Sequence, residues 1–157
     1  ARARFPPLSG SVAVIELASV AGLASIPPAE RHPGPLSTRG LGRLLRHAGE
    51  GGAGAILLGV GGSATNDLGL GALHALGIRS VDRRGATVDP PAPGRWAGIA
   101  DFDPSGRIAL PPVRIACDVT NPLLGDDGAT AVYGPQKGLA PEEIGPLDAR
   151  AAELAAR

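Results

Sequence analysis

The chain has no methionine, one cysteine, very few aromatic residues and no net charge, and Lys137 is its only lysine. Each scarcity removes a class of explanation. Cys117, standing alone, permits no intrachain disulfide and no thiolate metal cluster, which fits a reducing cytoplasm. Fifteen basic residues against fifteen acidic ones leave no general attraction for nucleic acid or for an anionic membrane surface. The apolar runs are too short to span a bilayer, and no leader of basic, then apolar, then small residues opens the chain. His32, His47 and His74 share no metal-ligand spacing. His47 reads as a surface residue, His74 as partly buried structure and Cys117 as an inert strand residue in the core. A Walker loop is absent, and Gly61-Gly62-Ser63-Ala64 lacks the G-x-S-x-G elbow of a serine nucleophile. The missing methionine, the start at Ala1 and an amphipathic last segment, Leu147 to Arg157, that meets no stop signal together suggest an internal fragment.

What is present describes a globular α/β domain, with 43% hydrophobic residues and a mean hydropathy of +0.10 over 157 residues. Three mostly apolar stretches, Ser11 to Leu17, Ala55 to Val60 and Val113 to Cys117, have the pattern of strands buried on both faces. Ala18 to Leu23 suits a short helix, and Pro27, Pro28, Pro33 and Pro35 enforce a loop after it. Ser37 or Thr38 is placed to cap the next helix, whose Leu41, Leu44 and Leu45 form one face while Arg43 and Arg46 meet water. A further helix is expected from about Asp67 to Ala75, a short strand at Ile78 to Val81, a loop anchored by Trp96 from Asp89 to Gly98, and a closing helix from Glu142 to Arg157 with Pro141 in its first turn. This alternation predicts a largely parallel or mixed sheet flanked by helices, with ligands gathered beyond the carboxyl ends of its strands.

Two polar clusters stand on that edge. The strand at 55–60 runs into Gly61-Gly62-Ser63-Ala64-Thr65-Asn66-Asp67, and the strand at 113–117 into Asp118, Thr120 and Asn121. Glycines let backbone N–H groups approach an anion, and a helix starting near Asp67 would aim its positive end at the same place. A capped helix start needs only one or two of Ser63, Thr65, Asn66 and Asp67, so the four together favour a ligand site. Gly59 to Ala64 also satisfies a dinucleotide fingerprint, with Asp82 at the position of a ribose-binding acid and Arg83 and Arg84 suited to a 2′-phosphate. That alternative, an NAD(P)-binding oxidoreductase domain, is weakened by the carboxylate of Asp67 where a pyrophosphate would approach. A non-catalytic nucleotide-binding domain is a second alternative. Asp118 suits either Mg²⁺, completed by water and phosphate oxygens, or a turn continued by Asn121-Pro122. Asp126 and Asp127 read as a solvent-facing turn. In a chain that otherwise uses arginine, Lys137 is either a compact ammonium wanted at that place or an accident of composition.

GVGGSATND at 59–67, ACDVTNPLLG at 116–125 and YGPQKG at 133–138 resemble, in order, the signature segments of the bacterial type I glycerate kinases. AVIELASVAGL at 13–23, PPAERHP at 27–33 and PEEIGPLDA at 141–149 are similar to further segments of the family. The resemblance implies ATP-dependent phosphorylation of D-glycerate to 2-phosphoglycerate with Mg²⁺. It also implies a two-domain kinase, a flavodoxin-like domain with an inserted restriction-endonuclease-like α/β domain, of which residues 1–157 are an internal portion spanning much of the inserted domain, with or without adjoining flavodoxin-like elements, and with no internal boundary assigned. Departures are Leu68 and Leu70 where small residues are usual, His32 for an Asn and Arg39 for a Tyr. On this reading Gly61, Gly62, Ser63 and Thr65 hold the ATP phosphates or the glycerate carboxylate, and Asn66 and Asn121 orient the substrate. Asp67 is the first choice for base or aligner of the attacking hydroxyl, Asp118 for the Mg²⁺ ligand, and Lys137 for the cation that balances charge on the transferred phosphoryl group. Glycerate and ATP are the expected partners, without nucleic acid or membrane.

Overall fold

The computed structural model describes residues 10–157. Along the chain the elements are β1 (Val12–Glu16), α1 (Ala18–Ala21), α2 (Arg39–Glu50), β2 (Ala55–Gly59), α3 (Leu70–Ala75), β3 (Arg79–Val81), β4 (Asp101–Asp103), β5 (Val113–Ala116), α4 (Ala129–Tyr133) and α5 (Pro141–Ala155). Short 3₁₀ segments lie at Leu23–Ser25, Pro28–Glu30, Pro93–Gly98 and Pro135–Lys137.

The three apolar stretches form one parallel sheet in the order β1-β2-β5. β2 is central because its residues tolerate burial on both faces: Ala55, Ile56 and Leu58 are all buried. Register sets Ile15, Leu58 and Ile115 in one row and Val14, Leu57 and Arg114 in the next. On the inner side Ile15, Ile56 and Leu58 pack with Leu41 and Leu45 of α2 and with Ala72 and Leu76 near α3. α2 and α3 lie so close that a Cβ on Gly42 would stand 2.4 Å from the carbonyl oxygen of Ala72. Glycine is required there by contact, not by conformation.

A second cluster, Leu70, Trp96, Ile99, Ala151 and Leu154, joins α3, the Pro93–Gly98 turn and α5. Trp96 is the anchor expected of it: fully buried, it donates its indole N–H to the carbonyl of Pro91 at 3.2 Å. The sequence expectation of a plain loop there is corrected, because residues 93–98 coil into the 3₁₀ turn and β4 follows. β4 pairs antiparallel with β3, and these two strands form a sheet of their own. α4 was not foreseen either, since five residues between glycines carry too little periodicity to stand out.

Candidate active site at the carboxyl ends of β2 and β5

A cavity of about 480 Å³ opens where β2 and β5 end, lined among others by Gly61, Gly62, Ser63, Asp118, Tyr133 and Lys137. It is assembled from three stretches far apart in sequence. The glycine turn after β2 is laced to the segment after β1: Leu23 N–H donates to Gly62 O and Ala64 N–H to Ala21 O, both at 2.8 Å. Gly62 needs its glycine for a left-handed backbone, φ 67. At Gly61 an added Cβ would meet nothing within 4 Å, so neither packing nor conformation within these residues explains that glycine. The N–H groups of Gly61, Gly62 and Ser63 donate to no carbonyl among the described residues. An open position bordered by undonated N–H groups suits the oxygens of an anion.

Lys137 reaches across from the Pro135–Lys137 turn, donating to Thr65 O at 2.6 Å and to the Ser63 hydroxyl at 3.2 Å. Burial lowers the pKa of this half-buried ammonium, and the carboxylate of Asp67 opposes the shift. Asp118 follows β5, is exposed in the cavity wall and has no partner among the described residues. Among the described residues no three His, Cys, Asp or Glu side chains cluster into a metal site. A single free carboxylate nevertheless fits Mg²⁺, which takes one or two from the protein and completes its octahedron with water and phosphate oxygens.

Gly61, Gly62, Ser63, Asp118 and Lys137 are therefore brought together as the sequence suggested, whereas the other candidate residues are not. Asp67 is 2% exposed and sits outside the cavity wall. Its Oδ2 accepts from Thr38 N–H (2.7 Å), the Thr38 hydroxyl (2.8 Å) and Gly71 N–H (3.2 Å), and its Oδ1 from Gly69 N–H (3.2 Å). Left-handed backbone at Leu68 (φ 55) and Gly69 (φ 72) folds the chain back to make this latch. α3 consequently begins at Leu70 instead of Asp67, and its N-terminal N–H groups face Asp67 and not the glycine turn. Thr38 stands at the start of α2 but makes no capping bond to it; its hydroxyl receives Ala72 N–H at 3.0 Å and donates to Asp67. The Thr65 side chain is buried away from the cavity, and only its carbonyl serves the site.

Asn66 and Asn121 tether α4. Asn66 donates to the Thr130 hydroxyl at 3.1 Å, and Asn121 accepts from Tyr133 Oη at 2.6 Å while donating to Asp127 O at 3.0 Å. Tyr133 was missed as a wall residue although it opens the YGPQKG segment. Cys117 was misread: it lies just beyond β5, exposed in the cavity wall, because β5 ends at Ala116. His32 pairs through Nε2 with Glu143 at 3.0 Å. Asp82, Arg83 and Arg84 follow β3, which pairs with β4 and not with the parallel sheet. The dinucleotide fingerprint thereby loses its second half, since a ribose-binding acid belongs at the end of the next parallel strand.

The sequence profile of the Glycerate kinase family matches residues 1–157. The chain belongs to the glycerate kinase family. It is 42% identical over 149 residues to a glycerate kinase of Bacillus subtilis, covering 93% of this chain and 39% of that protein. It is 43% identical over 142 residues to glycerate 2-kinase of Escherichia coli, covering 88% of this chain and 37% of that one. A crystal structure assigned as glycerate kinase 2 of Salmonella typhimurium LT2 superposes with a TM-score of 0.85 at 43% identity, over 90% of this chain and 38% of the other. Against family members of that length, these residues span under two-fifths of the polypeptide. The parallel-sheet architecture is thus that of a solved glycerate kinase relative.

Proposed function

We propose that the polypeptide containing these residues transfers the γ-phosphoryl group of ATP to a hydroxyl of D-glycerate, giving 2-phosphoglycerate, and that the cavity at β2 and β5 is one wall of its cleft. The observation that carries this reading is the meeting of Lys137, Ser63, Asp118 and the undonated N–H groups of residues 61–63 in one cavity. Phosphoryl transfer passes through a loose transition state and asks the protein chiefly for positioning and charge balance, and little of a strong base. The N–H groups hold anionic oxygens of a phosphate or of the glycerate carboxylate. Lys137, held by Ser63 and Thr65, places its ammonium where negative charge spreads over the moving phosphoryl group. Asp118 would hold Mg²⁺, which when bound would neutralise charge on phosphate oxygens. Asp67 acts as the latch between α2 and α3 and, through its charge, opposes the fall in the Lys137 pKa that burial causes; it is a positioning residue, not the base.

The test is an ADP-release assay with glycerate on the full-length protein, with ³¹P NMR to identify the phosphorylated carbon. Asp118→Asn and Lys137→Ala are expected to lower kcat by about 100-fold or more, on the order of 2.7 kcal/mol of barrier. Either one within about threefold of wild type, about 0.65 kcal/mol, removes that residue from the mechanism. Asp67→Asn, assayed at neutral pH on its folded fraction, separates the two roles of that carboxylate: a 100-fold loss of kcat would make it the base after all.

A further inference from the structure

The sequence's Arg83-Arg84 pair, unused by the kinase reading, borders a second cavity of about 520 Å³ that shares no wall residue with the active-site cavity. Its walls are the turn that begins at Asp82, the carbonyl end of the Pro93–Gly98 turn, Arg150 of α5 and Arg157. Two of its four arginines are held rigidly by backbone carbonyls. Arg150 donates to Trp96 O (3.2 Å from Nε, 2.7 Å from Nη2) and pairs with Glu153, while Arg157 donates to Ala100 O. The other two are unspent: neither the Arg83 nor the Arg84 guanidinium has a partner among the described residues. Asp82, the one acid in the wall, already accepts Arg84 N–H at 2.8 Å and Ala86 N–H at 2.9 Å within its own turn. Four guanidinium groups thus face two carboxylates, Asp82 and Glu153, an excess of two positive charges around a cavity roomier than one oxyanion needs.

We infer that this cavity binds the phosphate group of a small phosphate monoester, with the Arg83 and Arg84 forks on the phosphate oxygens. Guanidinium is the donor suited to this, since two parallel N–H groups meet two oxygens of one phosphate, which an ammonium cannot match. Arg150 of the cavity wall grips the carbonyl of Trp96, which is buried in the second core, so the wall is braced by α5 and the 3₁₀ turn. The site is independent of the kinase reading.

Calorimetric titration of the full-length protein at low ionic strength tests it, with inorganic phosphate and glycerol phosphate as probes and Lys137→Met as background to remove the active-site cation. One binding event is expected to persist in that background. Arg83→Ser with Arg84→Ser should weaken it at least about tenfold, and Arg83→Lys with Arg84→Lys should weaken it less. Tighter binding of the monoester, or equal binding of the two probes, supports the site and identifies a phosphorylated metabolite or free phosphate as its source. Absence of any event in the Lys137→Met background, or an isotherm unchanged by the serine pair, overturns the proposal. So does a serine pair that lowers the melting temperature in phosphate-free buffer without changing the isotherm, since the arginines would then only brace the fold.

Discussion

At the residue scale, the contrast between Asp67 and Asp118 decides how the site works. Both follow a strand of the parallel sheet, yet one is sealed among four donors and the other stands free in the cavity. Lys137 lines the same cavity as Asp118 and feels the charge of Asp67, and its titration probes the second of these relations. Because burial lowers its pKa, the ammonium is lost at a pH below lysine's ordinary 10.5. The alkaline limb of kcat/KM is therefore expected below that value. Asp67→Asn, which removes the charge that opposes the shift, should move the limb lower still, and Lys137→Arg should move it up out of range. A limb unmoved by Asp67→Asn would separate the two groups. Gly61 gives a second test: with open space around its Cβ position, Gly61→Ala should leave the melting temperature within about a degree or two of wild type, a stability change of well under 1 kcal/mol. The same methyl should raise KM for ATP or glycerate about tenfold or more, read by initial rates, if an anion approaches the backbone there.

At the element scale, the α2–α3 contact is the joint that sets the latch. Gly42→Ala would push a methyl against the Ala72 backbone and the Ala75 Cβ, neither of which can swing aside, and should cost about 1–3 kcal/mol in urea unfolding. α3 also carries His74, whose Nδ1 is buried without a partner. Burial first, then the positive charges of Arg39 and Arg79, lower its pKa. In the unfolded chain His74 takes up a proton near its ordinary 6.5, and in the folded chain only at lower pH. The native state therefore binds fewer protons, and stability falls as pH drops below about 6.5. His74→Gln should flatten that fall, measured as the urea midpoint at pH 7.5 and 5.5. The helix faces and the three strands were legible in the sequence because apolar spacing is a local property, but burial on both faces holds for β2 alone: β1 and β5 are largely exposed. The start of α3 was not, because the N–H groups of its first turn are claimed by Asp67 only after Leu68 and Gly69 turn the chain left-handed.

At the scale of the whole molecule, the parallel sheet is covered unevenly. Parallel sheets are ordinarily buried on both faces, yet Val12 and Val14 on the outer face of β1 are 40% and 70% exposed, and Ile115 of edge strand β5 is 59% exposed. The inner core contains no side chain of β5. These 157 residues correspond to under two-fifths of their relatives' length, so the comparison with the full-length chain is informative. Expressed alone, they should self-associate in sedimentation velocity and bind a hydrophobic dye, and Val14→Lys should reduce both. Full-length protein that exposed the same patch to dye would count against a covering layer. Among the described residues no helix is long and apolar enough to cross a membrane.

The sequence by itself determined the α/β class, the three strands of the parallel sheet, the anchoring Trp96 and the family, through apolar spacing and three short segments whose resemblance is carried by residue identity alone. Only the tertiary structure decided which polar residues of those segments face the cavity. A strand's end says that polar groups follow; it does not say where they turn. Asp67 is captured by Thr38 from 29 residues away, Asn66 by Thr130 from 64, and Lys137 reaches Ser63 across 74. Such partners are set by packing of distant elements, which no local pattern in the chain encodes.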